Sequence, residues 1–476
     1  MKKMNASKLL PKLAFYEKLY IWSLLSEPLL FFVLLESSVL GIPITLSRVL
    51  QFSFFFILCV KYISCKKTII IYDLLSVQNQ RIYIYIFIVF LSSIAGLLSG
   101  AYNYESDGLL VFSNTLRPLF EFFILLYYFI YFLILPKYIV HTKKHLSYLM
   151  KWLKNIFIFV VFIGMIDVLC NVIGFDLIPR HLVDSNWVTV GLRFHSILGE
   201  PRDAFVYLLF ILSILFLNAA IHEEMKYKYF TMIIIFTCLV FTQSFSGVVG
   251  IFISLILLVV FTGIPTKYYK STLLILCLFI LIGIVVSEYS LRINFYTQMA
   301  LAIPNILQSD SIQPYLIGVH YPTDIVHAKH LAYLVSVQAP DIIPLWVFLH
   351  KIINYDFFSV LFGSGIGSAS FTTNNFINEV GVNNPRGQIT RLLFESGVIG
   401  TYIYILMLIK PMYNLKLILS NKQQMIILIS AIFLCGAALG HRSNLIFMFV
   451  GIVIAVIKIY SNPLKDFKLR LASNEK

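Results

Sequence analysis

Long apolar runs separated by short polar connections make up most of the chain. Each run holds about 18 to 24 mostly apolar residues, enough for a helix to cross a hydrocarbon core of roughly 30 Å. Because an α-helix satisfies its own backbone hydrogen bonds in lipid, we predict an all-α polytopic membrane protein. The twelve predicted spans cover residues 19–42, 49–64, 82–100, 117–138, 152–174, 203–222, 228–244, 246–263, 270–288, 387–412, 424–440 and 443–460.

Two connections on the same side of the membrane are longer than the others. Residues 1–288 hold the first nine predicted spans and include a short loop at about 175–202. Residues 289–386 contain helix-like apolar stretches and a Gly-rich turn, LFGSGIGS, and a connection of that length usually has a structure of its own. We predict a helical cap over 289–386, spans ten to twelve over 387–460, and a cytoplasmic tail over 461–476.

Composition and charge agree with a membrane protein. Hydrophobic residues make up 59% of the 476 residues, charged residues only 13%, and the mean hydropathy is +0.86, which excludes an ordinary soluble domain. The net charge is +14, but the basic residues form short clusters between apolar runs, as membrane-anchoring charges do. Nucleic acid is therefore not an expected partner. The six cysteines lie in or beside the apolar runs and predict no disulfide framework.

The positions of lysine and arginine indicate how the chain is threaded. With the N-terminus in the cytoplasm, 24 of the 26 lysines fall on the cytoplasmic side, as the positive-inside rule requires. Guanidinium groups suit bidentate recognition of phosphate and carboxylate, although arginines can also reach lipid phosphates. Nine of the 11 arginines fall on the outer side: Arg48, Arg117, Arg180, Arg193, Arg202, Arg292, Arg386, Arg391 and Arg442.

A first cluster of candidate site residues precedes the sixth span, in the stretch GLRFHSILGEPRDAF. Arg193, His195, Glu200 and Arg202 lie close together there. Glu200 is a candidate general base, held by the neighbouring arginines at the rim of a membrane cavity. It could equally cap the N-terminus of the following helix, where acidic residues are common.

A second cluster begins the tenth span, in NNPRGQITRLLFESGVIG. Arg386 precedes the span, while Arg391 and Glu395 lie inside it, one turn apart and therefore on one face. They could form an intrahelical ion pair that faces a cavity, with Glu395 as a second candidate base. Arg442 lies in the short turn GHRSNL between the last two spans, where anchoring of the turn is the alternative role.

The sequence predicts neither a metal nor a cofactor. His320, His327 and His330 with Asp324 include a His-x-x-His spacing, but no second pair of ligands completes a zinc site. The chain has no P-loop, G-x-S-x-G or H-E-x-x-H sequence. The Gly-rich turn lacks the following lysine and helix of a phosphate-binding loop, so we interpret it as structural.

Three stretches resemble bacterial O-antigen polymerases. They are R-x-x-x-x-x-G-E-P-x-x-A from Arg193 to Ala204, the LFGSGIG turn, and RLLFESGVIG from Arg391. O-antigen ligases share this architecture but typically carry a histidine-asparagine pair shortly before an E-x-G-x-x-G stretch. The corresponding region here reads NNPRGQ and has no histidine, which favours the polymerase.

The resemblance implies a GT-C-like glycosyltransferase of the bacterial inner membrane, with cytoplasmic termini and an active site facing the periplasm. It would transfer a growing glycan from undecaprenyl diphosphate to the terminal sugar hydroxyl of a carrier-linked repeat unit. The expected base is Glu200 or Glu395. The residues expected to bind diphosphate or glycan are Arg193, Arg202, Arg386, Arg391 and Arg442.

The expected partners are undecaprenyl-diphosphate-linked oligosaccharides and the lipid bilayer, with a chain-length regulator and a flippase of the same pathway as further candidates. Two alternative functions stay open. One is a ligase that transfers the glycan to lipid A core. The other is a flippase or transporter of lipid-linked oligosaccharides, which Glu27, Glu36 and Asp167 favour because they are ionisable residues inside predicted spans.

Overall fold

The structure is a computed structural model, and it describes residues 13–29, 33–35, 44–65, 80–98, 111–175, 177–178, 193–222, 228–242, 244–262, 342–353, 356–369, 387–440 and 443–474. This part of the chain is almost entirely helical. Its β-structure consists of Val33–Leu35 (β1), paired antiparallel with Ile44–Thr45 (β2). The helices are α1 (Phe15–Ser26), α2 (Leu46–Cys65), α3 (Gln80–Leu98), α4 (Val111–Tyr128), α5 (Pro136–Ile139), α6 (Lys143–Val172), α7 (Pro201–His222), α8 (Lys228–Thr242), α9 (Phe245–Thr262), α10 (Ile342–Ile353), α11 (Phe357–Phe362), α12 (Gln388–Tyr413), α13 (Asn421–Gly440) and α14 (Leu445–Asn474).

Six helical segments among the described residues are long and apolar enough to cross a membrane. They are Gln80–Leu98, Pro118–Ile139, Lys143–Val172, Pro201–Ile221, Gln388–Leu417 and Asn421–Gly440. A seventh candidate is the pair Phe230–Thr242 and Gly247–Phe261, which bends by 119° and is either a broken span or a re-entrant loop. The outer faces of these helices expose many large apolar side chains, which lipid can cover. The protein is therefore an α-helical membrane protein.

The first predicted span does not form as expected. The sequence predicts a helix over 19–42, but α1 ends at Ser26 and the short strands follow. Pro28 follows Glu27, and a proline has no N–H to donate to the carbonyl oxygen four residues earlier and its ring crowds that carbonyl, so the helix stops there. The prediction of one continuous helix is therefore wrong at this point.

The other differences lie near the ends of predicted segments. The predicted span 49–64 lies within α2, and the predicted span 443–460 overlaps α14 from Leu445 on. The apolar parts of these helices, Leu46–Val60 and Leu445–Ser461, are shorter than the six segments above. The predicted tail at 461–476 begins as a continuation of α14. The predicted span 270–288 and most of the 289–386 loop lie outside the described residues, and α10 and α11 are the described helices of that loop.

Three helices form the centre of the bundle. The apolar windows of Pro201–Ile221, Gln388–Leu417 and Asn421–Gly440 are each 67% buried, against 28% for Lys143–Val172. Small residues allow α13 to approach α9 closely, since a Cβ on Gly436 would lie 2.4 Å from the carbonyl oxygen of Gly250. The central position of α12 places its polar residues inside protein rather than in lipid.

A π-helical turn over Phe129–Ile134 joins α4 to α5 and docks the first two helices onto them. Tyr131 packs against the rings of Tyr20 in α1 and Phe54 in α2, with centroid distances of 5.2 and 6.0 Å. The Tyr20 hydroxyl also donates to the Tyr131 carbonyl oxygen at 2.7 Å. This aromatic cluster holds α1 and α2 against the π-helical turn.

Candidate functional site

A polar cavity lies between α3, α4, α12 and α14. Its volume is about 60 Å³, which admits a few water molecules and no complete sugar ring. Ile366 of the Gly-rich turn also reaches it. The polar lining residues are Tyr85, Glu121, Tyr128, Gln388, Arg391, Glu395, Ser396, Tyr404, Ser443 and Asn444.

Two carboxylates share one guanidinium in this cavity. Arg391 donates from Nε to Glu395 Oε1 at 3.0 Å and from Nη2 to Glu395 Oε2 at 3.3 Å. Its Nη2 also lies 3.5 Å from Glu121 Oε2, across the gap to α4. Arg391 is 3% exposed and Glu395 is 7% exposed. When both acids are ionised, the Glu121–Arg391–Glu395 triad has one negative charge in excess, because the single guanidinium neutralises only one carboxylate.

The sequence anticipated half of this triad. The expected intrahelical pair of Arg391 and Glu395 is present and faces a cavity, as the spacing indicated. The sequence analysis did not identify Glu121. It is an acidic residue inside the predicted span 117–138, and an ionisable residue in such a position is a signal of a functional site. Because Arg391 is already bound by two carboxylates, it contributes little free positive charge for a substrate diphosphate.

The Gly-rich turn packs directly on the part of α12 that holds Glu395. The Ser364 N–H donates to the carbonyl oxygen of Phe394 at 2.9 Å, and the Gly365 N–H donates to that of Glu395 at 3.0 Å. Ser92 of α3 also donates to the Glu395 carbonyl oxygen, at 2.5 Å. A kink in α12 interrupts the helical hydrogen bonds of these carbonyl groups, and the three donors satisfy them instead. They also fix the backbone at Glu395, a candidate catalytic residue.

The kink is at Gly397, whose φ of +68° is available at little cost to glycine alone. A Cβ on Gly397 would lie 2.3 Å from the carbonyl oxygen of Leu361, and a Cβ on Gly363 would lie 2.3 Å from that of Glu395. The turn and the kink therefore fit backbone against backbone. The sequence interpretation of LFGSGIGS as a structural turn agrees with this packing.

Lys351 of α10 supports the same turn. Its Nζ donates to Ser364 Oγ at 2.5 Å and lies 4.9 Å from the centre of the Phe394 ring. Burial lowers the pKa of the Lys351 ammonium below its usual value, and the nearby Asp356 carboxylate opposes that shift. The lysine thus links the described part of the long loop to the start of α12.

A second polar network joins the cavity to the first two helices. Asn444, which lines the cavity, donates to Glu27 Oε1 at 3.2 Å. Gln51 donates to Glu27 Oε2 at 2.8 Å, and Ser47 donates to the same oxygen. Glu27 is one of the ionisable residues that the sequence placed inside the first span, and it lies instead just beyond the end of α1.

Arg48 borders this network rather than facing lipid alone. Its Nη2 donates to the Tyr128 hydroxyl at 3.1 Å, and its guanidinium lies 5.9 and 5.8 Å from the ring centres of Tyr127 and Tyr128. Cations are attracted to aromatic faces at such distances. Because Tyr128 lines the cavity, Arg48 is a cation at its edge.

The segment at 193–202 makes its own set of polar contacts. Arg193 is buried and donates from Nε to the carbonyl oxygen of Thr242 at 3.3 Å. Glu200 and Arg202 form an ion pair at 2.5 Å, with 33% and 23% of their side chains exposed. None of these three residues lines the described cavity. Arg386 and Arg442 lie outside the described residues.

His195 forms a buried pair with Asp167 of α6. The His195 Nε2 lies 3.1 Å from Asp167 Oδ2, with both side chains at most 2% exposed. Asp167 Oδ1 accepts the Ile178 N–H at 3.0 Å. Asp167 thus holds both ends of the 175–202 connection against α6, and we interpret it as a structural anchor.

Asp167→Leu should therefore destabilise the protein, because it removes the carboxylate that lies against the buried His195 Nε2 and that accepts the Ile178 N–H. The expected loss is about 1–3 kcal/mol for each unsatisfied group. Asp167→Asn is the matched control, since its amide can still accept from Ile178 and can bond His195. Thermal unfolding in detergent measures both variants, and equal losses for the two would contradict the anchoring role.

The fold and the site define an α-helical membrane protein with a cavity between α3, α4, α12 and α14 that holds two carboxylates and one guanidinium. No known protein family, curated protein or solved structure matches the chain.

Proposed function

We propose that the protein is an O-antigen polymerase that works in the cavity around Arg391. The observation that carries the proposal is the contact between two of the stretches on which the resemblance rests. LFGSGIG and RLLFESGVIG are far apart in the chain, yet their backbones are hydrogen-bonded at Ser364, Gly365, Phe394 and Glu395 beside a buried charged triad. Ionisable residues inside the helix bundle of a membrane protein usually belong to a functional site.

In the proposed reaction a carboxylate of the triad is the general base. A sugar hydroxyl of the acceptor gives its proton to Glu121 or Glu395, its oxygen bonds to the anomeric carbon of the donor, and the bond from that carbon to the diphosphate oxygen breaks. The surplus negative charge of the triad leaves one carboxylate able to take the proton. Arg391 orients both acids, and we place the base here rather than at Glu200, which lies outside the cavity.

The diphosphate leaving group would be bound by cations at the rim of the cavity. Arg48 lies beside Tyr128 at that rim, and Arg386 and Arg442 directly flank described segments that line it, at Gly387–Gln388 and Ser443. Arginine stabilises the charge that develops on such a leaving group. Since the cavity holds only a few waters, the Gly-rich turn or a helix has to shift before a sugar enters.

The GT-C-like architecture with twelve spans, the periplasmic orientation and the inner-membrane location belong to the same proposal. So do the lipid-linked oligosaccharide substrates and the pathway partners. The lysine distribution supports the orientation, and the six apolar helices support the membrane location.

A deletion strain tests the proposal through its lipopolysaccharide. A polymerase deletion should leave lipid A core carrying one repeat unit and no ladder, and the wild-type gene should restore the ladder. Complete loss of O-antigen with carrier-linked polymer accumulating would indicate the ligase instead. In the same strain, Glu121→Gln and Glu395→Gln should each reduce polymer by at least about 100-fold if that acid is the base, whereas Glu200→Gln should retain it. Full polymer from both cavity variants would overturn the placement of the base.

One observation favours a transporter of lipid-linked oligosaccharides as a second candidate. Ionisable side chains at or inside the bundle come from several described helices: Arg48, Glu121, Asp167, Arg391 and Glu395, and Glu27 follows α1. Transporters use such residues along a substrate path. Flipping of a labelled lipid-linked oligosaccharide by the purified protein in liposomes, without polymer formation, would favour this candidate.

A further inference from the structure

A second cluster of ligand-type side chains lies at the opposite end of α1 from the cavity. Glu17 is in the first turn of α1, whereas Glu27, which belongs to the cavity network, follows the last turn. His145 is in the first turn of α6, and His141 precedes that helix. One ligand atom from each of Glu17, His141 and His145 lies within 4.8 Å of the other two.

The His145 Nε2 is a buried nitrogen without a hydrogen bond among the described residues. His145 is 4% exposed, and its Nε2 lies 3.1 Å from Glu17 Oε2 in a direction that does not form a hydrogen bond. An orphaned buried polar atom requires an explanation. Two ligands bound tetrahedrally at about 2.0–2.1 Å are roughly 3.3 Å apart, so this separation fits two ligands of one metal ion.

Each of the three candidate ligands is held by a further hydrogen bond, as the histidine and carboxylate ligands of metal sites usually are. The Nδ1 of His145 lies 2.6 Å from Thr142 Oγ1, and the Nδ1 of His141 lies 3.1 Å from the carbonyl oxygen of Ile139. A proton on each Nδ1 leaves each Nε2 with its lone pair. Glu17 is fixed as well, because its Oε2 accepts the Ala14 N–H at 2.8 Å.

We propose that Glu17, His141 and His145 bind a divalent transition-metal ion of the zinc type and thereby clamp α1 onto α6. Two imidazoles and one carboxylate suit Zn²⁺ and Co²⁺, whereas Mg²⁺ and Ca²⁺ prefer oxygen ligands. His141 is exposed, so solvent can supply the fourth ligand. The sequence prediction of no metal considered only short-range histidine spacing, and Glu17 is far from the histidines in the chain.

The test uses the full-length protein in lipid nanodiscs, stripped of metal by a chelator. Titration with Zn²⁺ should show saturable binding and a higher thermal midpoint, and Co²⁺ should give visible absorption bands of a low-coordinate site. His141→Ala should weaken Zn²⁺ binding by more than about tenfold and abolish the Zn²⁺-dependent rise in midpoint. Because His141 is exposed, its replacement should not disturb folding, and the thermal midpoint of the variant without metal should match that of the wild type. Misfolding would therefore not explain a loss of Zn²⁺ binding.

His222→Ala is the matched control, because it removes a histidine at the end of α7 and should leave Zn²⁺ affinity unchanged. Glu17→Gln should weaken Zn²⁺ binding, since it replaces the anionic carboxylate ligand with a neutral amide. The proposal is overturned if the His141→Ala variant binds Zn²⁺ as tightly as the wild type, if the His222→Ala control loses binding equally, or if Mg²⁺ competes at equal concentration. Polymer formation is not a readout, so the result is independent of the proposed function.

Discussion

Arg391→Gln should abolish polymer formation and lower the stability of the protein more than any other single change in the cavity. The substitution leaves Glu121 and Glu395 facing each other without the guanidinium that neutralises them. Removing one partner of a buried ion pair costs about 3–5 kcal/mol because the remaining charge stays buried. The measurements are thermal unfolding in detergent and the polymer ladder in the deletion strain.

Glu395→Gln separates the structural role of the triad from its chemical role. It leaves Arg391 paired with Glu121, so the cluster becomes neutral and its stability should equal or exceed that of the wild type. If Glu395 is the base, the same variant should nevertheless lose polymer formation. The charge argument predicts that Arg391→Gln combined with Glu395→Gln regains stability relative to Arg391→Gln alone. A double variant as unstable as that single variant would refute it.

Gly397→Ala should unfold the site even though it adds one methyl group. The new Cβ would lie 2.3 Å from the Leu361 carbonyl oxygen, and the φ of +68° is unfavourable for alanine. With its ψ of −173°, this backbone conformation is essentially restricted to glycine and costs about 1–3 kcal/mol, and the overpacking costs about 1–3 kcal/mol, so a loss of about 2–6 kcal/mol is expected. Polymer formation should fall with it, because the Gly-rich turn no longer fits against Glu395.

Gly174→Ala is the control that isolates the clash. Gly174 has a similar φ of +80°, but a Cβ there has no neighbour within 4 Å. It should therefore cost only the conformational penalty of about 1–2 kcal/mol and leave polymer formation intact. Similar losses for the Gly174 and Gly397 variants would show that backbone conformation, and not the contact with the turn, limits stability.

The helical architecture could be predicted from local sequence because each span is an independent apolar segment. The predicted spans 82–100, 117–138, 152–174, 203–222, 387–412 and 424–440 all correspond to apolar helices among the described residues. The error at 19–42 arose because an apolar run was treated as a helix throughout, although Pro28 follows Glu27. An apolar run shows that a segment is long enough to cross the membrane. It does not show where the helix ends, and here a proline ends it.

The candidate site could be predicted only where its residues are neighbours on one helix. Arg391 and Glu395 are one turn apart, so the pair followed from helix geometry. Glu121, Arg48 and Glu27 reach the cavity network from α4, α2 and the segment after α1, and no local rule relates these helices to α12. Glu200 was a candidate from its charge and predicted membrane side, and it does not line the described cavity.

The sequence by itself determined that this protein lies in a membrane, where six of its apolar helices lie, and which arginine and glutamate share a face of α12. These properties depend on residues within one helix turn or one apolar run. Only the tertiary structure decided that two carboxylates surround Arg391, that the Gly-rich turn lies against the Gly397 kink, and that Glu17 meets two histidines. Each of these contacts joins distant segments, and the packing of helices, which depends on the whole chain at once, brings them together.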